Sequence, residues 1–204
     1  MPTPAHRPQN SAWGCSIRGF GAALFAALLM ALGLTGCSTE IPRANSNIAF
    51  MGDSITAFWW LPKANLGVYG NTTTQMLARF PEEVLGHGYR AVVILGGTND
   101  IRGTYTPAEQ TLAISNIGQM AAMAEKEGME VILCEIPPIR GETERVVPFN
   151  AALASYAAEH GYKLVNYYAP MAGHPEYFRD GLHPNDLGYF AMQSVLTPVI
   201  PLDY

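Results

Sequence analysis

Two stretches, "RAVVILGG" at residues 90–97 and "MEVILCEI" at 129–136, are apolar almost without interruption. A strand with one wet face alternates apolar and polar residues, because successive side chains point to opposite faces. An unbroken apolar strand needs cover on both faces, which is the condition of a central strand in a parallel sheet. Shorter runs of the same kind are "NIAFMG" (47–52), "NLGVYG" (65–70) and "KLVNYY" (163–168). Helical patterns fall between them. Residues 72–86 form one. "TPAE" at 106–109 is a capping box with proline at the first helical position; its apolar face runs Ile114, Ile117, Ala121, Ala124, and Gly128 stops it. "PFNAALASYAAEHG" (148–161) ends on Gly161, and "HPNDLGYFAMQSVL" starts a last helix near Asn185 or Asp186. Strands alternating with helices imply an α/β chain, a three-layer α/β/α sandwich on a mostly parallel five-stranded sheet.

The first 36 residues stand apart from this pattern. They carry Arg7 and Arg18 and no acidic residue, then the apolar run "GFGAALFAALLMALGL" (19–34), then "LTGC" ending at Cys37. The segment resembles a bacterial lipoprotein signal with its lipobox. The resemblance implies cleavage before Cys37 and lipidation of its thiol, so that acyl chains tether the protein to a membrane. Ser38, rather than an aspartate, follows the cysteine, which implies the periplasmic face of the outer membrane. The alternative is an uncleaved membrane anchor with a chance cysteine. The expected organisation is a signal peptide at 1–36, a lipidated tether at 37–47 with the polar run "STEIPRANSN", and one domain at 48–204. Net charge is −5 without basic runs, which argues against a nucleic-acid partner. With Cys15 removed and Cys37 lipidated, only Cys134 remains, so no intrachain disulfide is available. Cys134 lies within "VILCEI" and reads as a buried small hydrophobe.

In open parallel sheets, sites form at the carboxyl ends of the strands. Gly52-Asp53-Ser54 follows the first strand, Gly70 ends the second, and "GGTND" (96–100) follows the third. These residues would therefore meet along one edge. Ser54 would stand where a helix begins, in the positive field of its amino terminus. Asp180 and His183 in "DGLHP" are three apart on a turn, a spacing that lets a carboxylate hold one imidazole nitrogen while the other faces a serine. Asn99 offers an amide donor, and Gly70 a backbone N–H unobstructed by a side chain.

This set resembles the SGNH hydrolase superfamily, the GDSL lipases and esterases, whose sandwich is flavodoxin-like. "GDSIT" is similar to its first block, "YGNTT" to its second, "GGTND" to its third and "DGLHP" to its last, in the family's order. Ile55 stands where the name-giving motif has leucine. The resemblance implies a nucleophile at Ser54, an acid at Asp180, a base at His183, and an oxyanion hole from Ser54 N–H, Gly70 N–H and Asn99. It implies an acyl-enzyme mechanism without cofactor or metal, on a small-molecule or saccharide ester. His87, His160 and His174 are scattered without metal-ligand spacing. Asp53 and Asp100 are expected to bond backbone N–H groups near the site. Trp59 and Trp60 are either packing between the first strands or a cleft wall, even a sugar platform. Arg102 and Arg140 are either contacts for an anionic substrate or, as is usual for exposed arginines, without a specific role. Short acyl groups are expected, because the connections leave no long lid; "IPPIRGETERVVP" (136–148) is the one loop able to build a groove. Other activities consistent with the pattern are carbohydrate O-acetyl esterase, lysophospholipase and thioesterase; the non-enzyme alternative is a lipoprotein that binds esters or glycans.

Overall fold

The computed structural model describes residues 44–102 and 106–202. The signal segment and Cys37 lie outside them. Within them run β1 (Ala44–Gly52), α1 (Ser54–Ala57), β2 (Pro62–Gly67), α2 (Thr73–Glu83), β3 (Ala91–Leu95), α3 (Pro107–Lys126), β4 (Glu130–Glu135), α4 (Thr143–His160), β5 (Lys163–Asn166), a 3₁₀ turn (Pro175–Tyr177) and α5 (Asp186–Leu196). The strands form one five-stranded sheet in the order β2-β1-β3-β4-β5. Every neighbouring pair is parallel. This is the α/β architecture expected from the unbroken apolar runs. All five residues of β3 are buried, as a strand covered on both faces requires.

From β1 the chain steps outward to β2, then returns across β1 to β3. Connections of the usual right hand carry α1 and α2 on opposite faces when the chain moves first one way and then the other along the sheet. The helices α2, α3 and α4 pack in sequence against one another. On the α1 face lies α5, whose Tyr189 hydroxyl donates to the Ile55 carbonyl at 2.8 Å. The Tyr189 ring stacks on Trp59 at 5.6 Å, and Trp59 meets Phe50 and Tyr167 edge-on at 5.9 and 6.0 Å. Each such pair contributes about 0.5–1.5 kcal/mol beyond its burial. Trp59 is therefore core, and the cleft-wall alternative for it falls.

Three boundaries differ from the sequence reading. β1 begins at Ala44, so residues 44–47 belong to the sheet rather than to a tether. β2 ends at Gly67, and Gly70 lies beyond it in a turn at φ +73°. The first turn of α4 starts at Thr143, five residues before Pro148, with Arg145 and Val146 N–H donating to the Glu142 carbonyl. The loop after β4 is thereby shorter than 136–148. The thiol of Cys134 is fully buried, and burial pushes its pKa up to about 12.

Candidate active site

The reversal of direction between β1 and β3 opens a crevice at their carboxyl ends. Gly52 is the last residue of β1 and must be glycine for space: a Cβ there would stand 2.0 Å from Thr56 Oγ1 and 2.9 Å from the Leu95 carbonyl. That close approach lets the chain turn directly from β1 into α1. Asp53 caps the turn, accepting from Ile55 N–H at 2.8 Å. Ser54 is the first residue of the helix and 8% exposed. Although α1 has only one turn, its carboxyl end is held: Asn65 of β2 donates to the Thr56 and Trp59 carbonyls at 2.8 and 3.1 Å.

His183 arrives from the other end of the chain. Ser54 Oγ and His183 Nε2 are 3.0 Å apart. His183 Nδ1 and Asp180 Oδ2 are 2.7 Å apart. The other oxygen of Asp180 accepts from Leu182 N–H at 2.9 Å and His183 N–H at 2.8 Å. These donors, the His183 backbone and ring foremost, hold the exposed Asp180 carboxyl well below the usual carboxylate range. A carboxylate so held keeps Nδ1 as the protonated nitrogen and leaves Nε2 as an acceptor toward the serine.

Asn99 stands in the loop after β3. Its Nδ2 donates to the Asn71 carbonyl at 2.9 Å and reaches Asp53 Oδ2 at 3.5 Å. The long second contact leaves that hydrogen weakly engaged. Gly70 is exposed, and nothing lies within 4 Å of where its Cβ would be.

Two aspartates brace these groups, as expected for backbone-bonding roles. Asp53 is fully buried. Burial raises its pKa to about 6, against the pull of Ile55 N–H, the Thr98 side chain and the His183 charge, while the Asp100 charge adds to the rise. Asp100 accepts from Thr73 N–H and, at 2.6 Å, from its hydroxyl, fixing the start of α2 to the loop after β3. Burial raises its pKa too, with the Thr73 bonds opposing.

Sequence reasoning passed over Arg79 and Asn71. Arg79 of α2 donates from Nη2 to the Gly52 carbonyl at 2.9 Å and from Nε to Asn71 Oδ1 at 2.8 Å, and pairs with Glu83. Asn71 in turn accepts Asn99 through its carbonyl. The only sequence signal was the place of Asn71 beside Gly70.

The exposed aromatics at the site are not the tryptophans. Phe58 meets the His183 ring edge-on at 5.3 Å, and Tyr69 lies 4.8 Å from Phe58. Trp60 is half-buried against Phe190 at 5.4 Å. A cavity of about 220 Å³ is walled by Ile139, Arg140, Tyr168, Met171 and Phe178 and touches Gly181; neither Ser54 nor His183 lines it. His87, His160 and His174 each bond locally, to the Glu82 carbonyl, the Tyr156 carbonyl and the Glu176 carboxylate.

A family model described as GDSL-like Lipase/Acylhydrolase family matches residues 50–191. No curated protein matches the chain. Among solved structures, a GDSL-like lipase from Bacteroides thetaiotaomicron is 27% identical with a TM-score of 0.66, over 88% of this chain and 96% of that one. A lipase/acylhydrolase from Enterococcus faecalis is 24% identical (TM-score 0.64; 78% and 95% covered). An acetylxylan esterase from Geobacillus stearothermophilus is 18% identical (TM-score 0.65; 79% and 96% covered). The last two are likenesses of fold.

Proposed function

Because the chain belongs to the GDSL-like lipase/acylhydrolase family, we propose that it is a serine esterase that hydrolyses carboxylic esters of short acyl groups through an acyl-enzyme. The observation that carries this reading is the relay from Ser54 Oγ to His183 Nε2 at 3.0 Å and from His183 Nδ1 to Asp180 at 2.7 Å. Nucleophile, base and orienting acid are within hydrogen-bond reach in the order that acyl transfer needs.

His183 Nε2 takes the hydroxyl proton as Ser54 Oγ attacks the ester carbonyl. The negative charge that develops on the carbonyl oxygen is met by Ser54 N–H at the head of α1, by Gly70 N–H and by the Asn99 amide. Collapse of the tetrahedral intermediate breaks the bond to the alcohol, which leaves with the proton from His183. Water, deprotonated by His183, then attacks the acyl-enzyme and releases the acid and Ser54. Asp180 stays ionised throughout, orienting the ring and stabilising its protonated form.

The acyl preference rests on chain lengths. Fifteen residues separate Ser54 from Gly70 and 28 separate Gly70 from Asn99, most of them in α1, β2, α2 and β3. Each methylene adds about 0.8 kcal/mol only where a groove buries it. The test is kcat/KM for p-nitrophenyl esters from acetate to palmitate. Acetate to butyrate are expected to lead; a steady rise toward palmitate would make the protein a lipase of long chains.

A carbohydrate O-acetyl esterase is the second reading, favoured by the exposed Phe58 ring beside His183 and the exposed Tyr69 ring against Phe58. The protein acts, in this account, from a lipid anchor at Cys37 on the periplasmic face of the outer membrane, as the "LTGC" segment and the following Ser38 suggest.

A further inference from the structure

Phe58 is 40% and Tyr69 63% exposed, and their rings are in contact, with the half-exposed Val68 adjoining. Isolated exposed apolar residues are ordinary, but a contiguous aromatic patch marks a surface that meets a ligand. This patch joins two parts of the site. Phe58 lies edge-on to the His183 ring at 5.3 Å, and Tyr69 directly precedes Gly70. Arg179 lies over the Phe58 ring, with Cζ 5.6 Å from its centroid. The Arg179 N–H donates to the His183 carbonyl at 2.8 Å, which ties its position to the base loop. Among the described residues the guanidinium has no ion-pair partner; the adjacent Asp180 is committed to His183.

In ester hydrolysis the departing alcohol takes its proton from the base, so it lies on the base's side of the nucleophile. The atoms beyond the alcohol oxygen therefore meet whatever flanks His183. Here that is the Phe58 ring, and against Phe58 lie the Tyr69 ring and the Arg179 guanidinium. We propose that Phe58, Tyr69 and Arg179 form the subsite for the alcohol half of the ester, and that it selects alcohols with a flat apolar ring face and an acidic group. This rests on the esterase reading above. The rings cover the apolar face of a sugar or an arene, and the guanidinium pairs the acid. A hydroxyaryl acid and an acidic sugar both present that chemistry.

The experiment uses two matched pairs of acetate esters: phenyl acetate with 4-acetoxybenzoate, and mono-O-acetylated methyl glucoside with the corresponding glucuronoside. The readout is the ratio of kcat/KM, acidic over neutral, in wild type and in Arg179→Gln. Comparing the two proteins cancels intrinsic differences in leaving-group reactivity. The ratio is expected to fall about fivefold in Arg179→Gln, the upper range for an exposed ion pair. A fall in the aryl pair alone or the sugar pair alone identifies the source of the alcohol. Tyr69→Ala is expected to lose roughly three- to tenfold on the ring alcohols relative to ethyl acetate. Ratios that are the same in wild type and Arg179→Gln for both pairs overturn the proposal. If wild type hydrolyses no ester, the esterase reading fails separately. The subsite is then judged by titrating 4-hydroxybenzoate and phenol. Tighter binding of the acid, lost in Arg179→Gln, supports it, and equal binding in both proteins overturns it.

Discussion

Replacing Asp53 by asparagine removes one proton-binding group from the centre of the fold while keeping its shape. Asp53 is fully buried between the nucleophile and the loop after β3, and burial raises its pKa from 3.8 to about 6. An acid raised in this way binds its proton more tightly in the folded protein than in the unfolded chain. The stability it contributes is fully present below the unfolded value of 3.8 and is lost as pH rises through about 6. At about 1.4 kcal/mol per pKa unit, the complete loss is roughly 3 kcal/mol, of which roughly 2 kcal/mol falls between about pH 4 and about pH 8. In Asp53→Asn the side-chain oxygen still accepts from Ile55 N–H, but there is no proton to lose. The assay is urea denaturation of both proteins across that range, taking the difference in unfolding free energy at each pH. Subtraction removes the opposing trend from Asp180, whose lowered pKa gives stability that is lost as pH falls. The variant is expected to gain about 2 kcal/mol on wild type from acid to alkaline pH. A difference that stays constant to within about 0.5 kcal/mol, near the precision of such extrapolations, would show that Asp53 does not titrate as a desolvated acid.

Asn99→Ala is expected to fold and to lose roughly a hundredfold or more in kcat, as removal of one oxyanion donor does; wild-type turnover in the folded variant would remove Asn99 from the mechanism. Cys37→Ser is expected to move the protein from the detergent phase to the aqueous phase on phase partitioning, and a wild-type protein found wholly in the aqueous phase would refute the anchor.

The strands and the site edge were legible because their physics is local. Continuous apolar runs such as 90–97, short, rich in β-branched residues and closed by glycines, fit buried strands that end in turns along one edge. The relay was legible because Asp180 and His183 sit three residues apart on their own turn. Other features depend on tertiary contacts. Pro148 looks like the first residue of a helix, because its fixed φ and missing N–H suit that place. In the structure it is an exposed residue inside α4, and the first turn forms ahead of it on the Glu142 carbonyl. Trp59 and Trp60 are adjacent in sequence, yet one is stacked in the core on Tyr189 and the other is half-exposed against Phe190. No periodicity separates them, since α1 is a single turn. Arg79 reaches Gly52 and Asn71 from 27 and eight residues away, through a packing of α2 that composition does not encode.

Covalent labelling tests Ser54 as the nucleophile most directly. An alkyl fluorophosphonate reacts with a serine only where a base activates it and donors hold the phosphoryl oxygen. Stoichiometric labelling of the wild-type protein is expected, mapped by peptide mass spectrometry to Ser54 alone, and lost in folded Ser54→Ala and His183→Ala variants. Labelling that persists in Ser54→Ala, or a folded wild-type protein that takes up no label, would contradict that role.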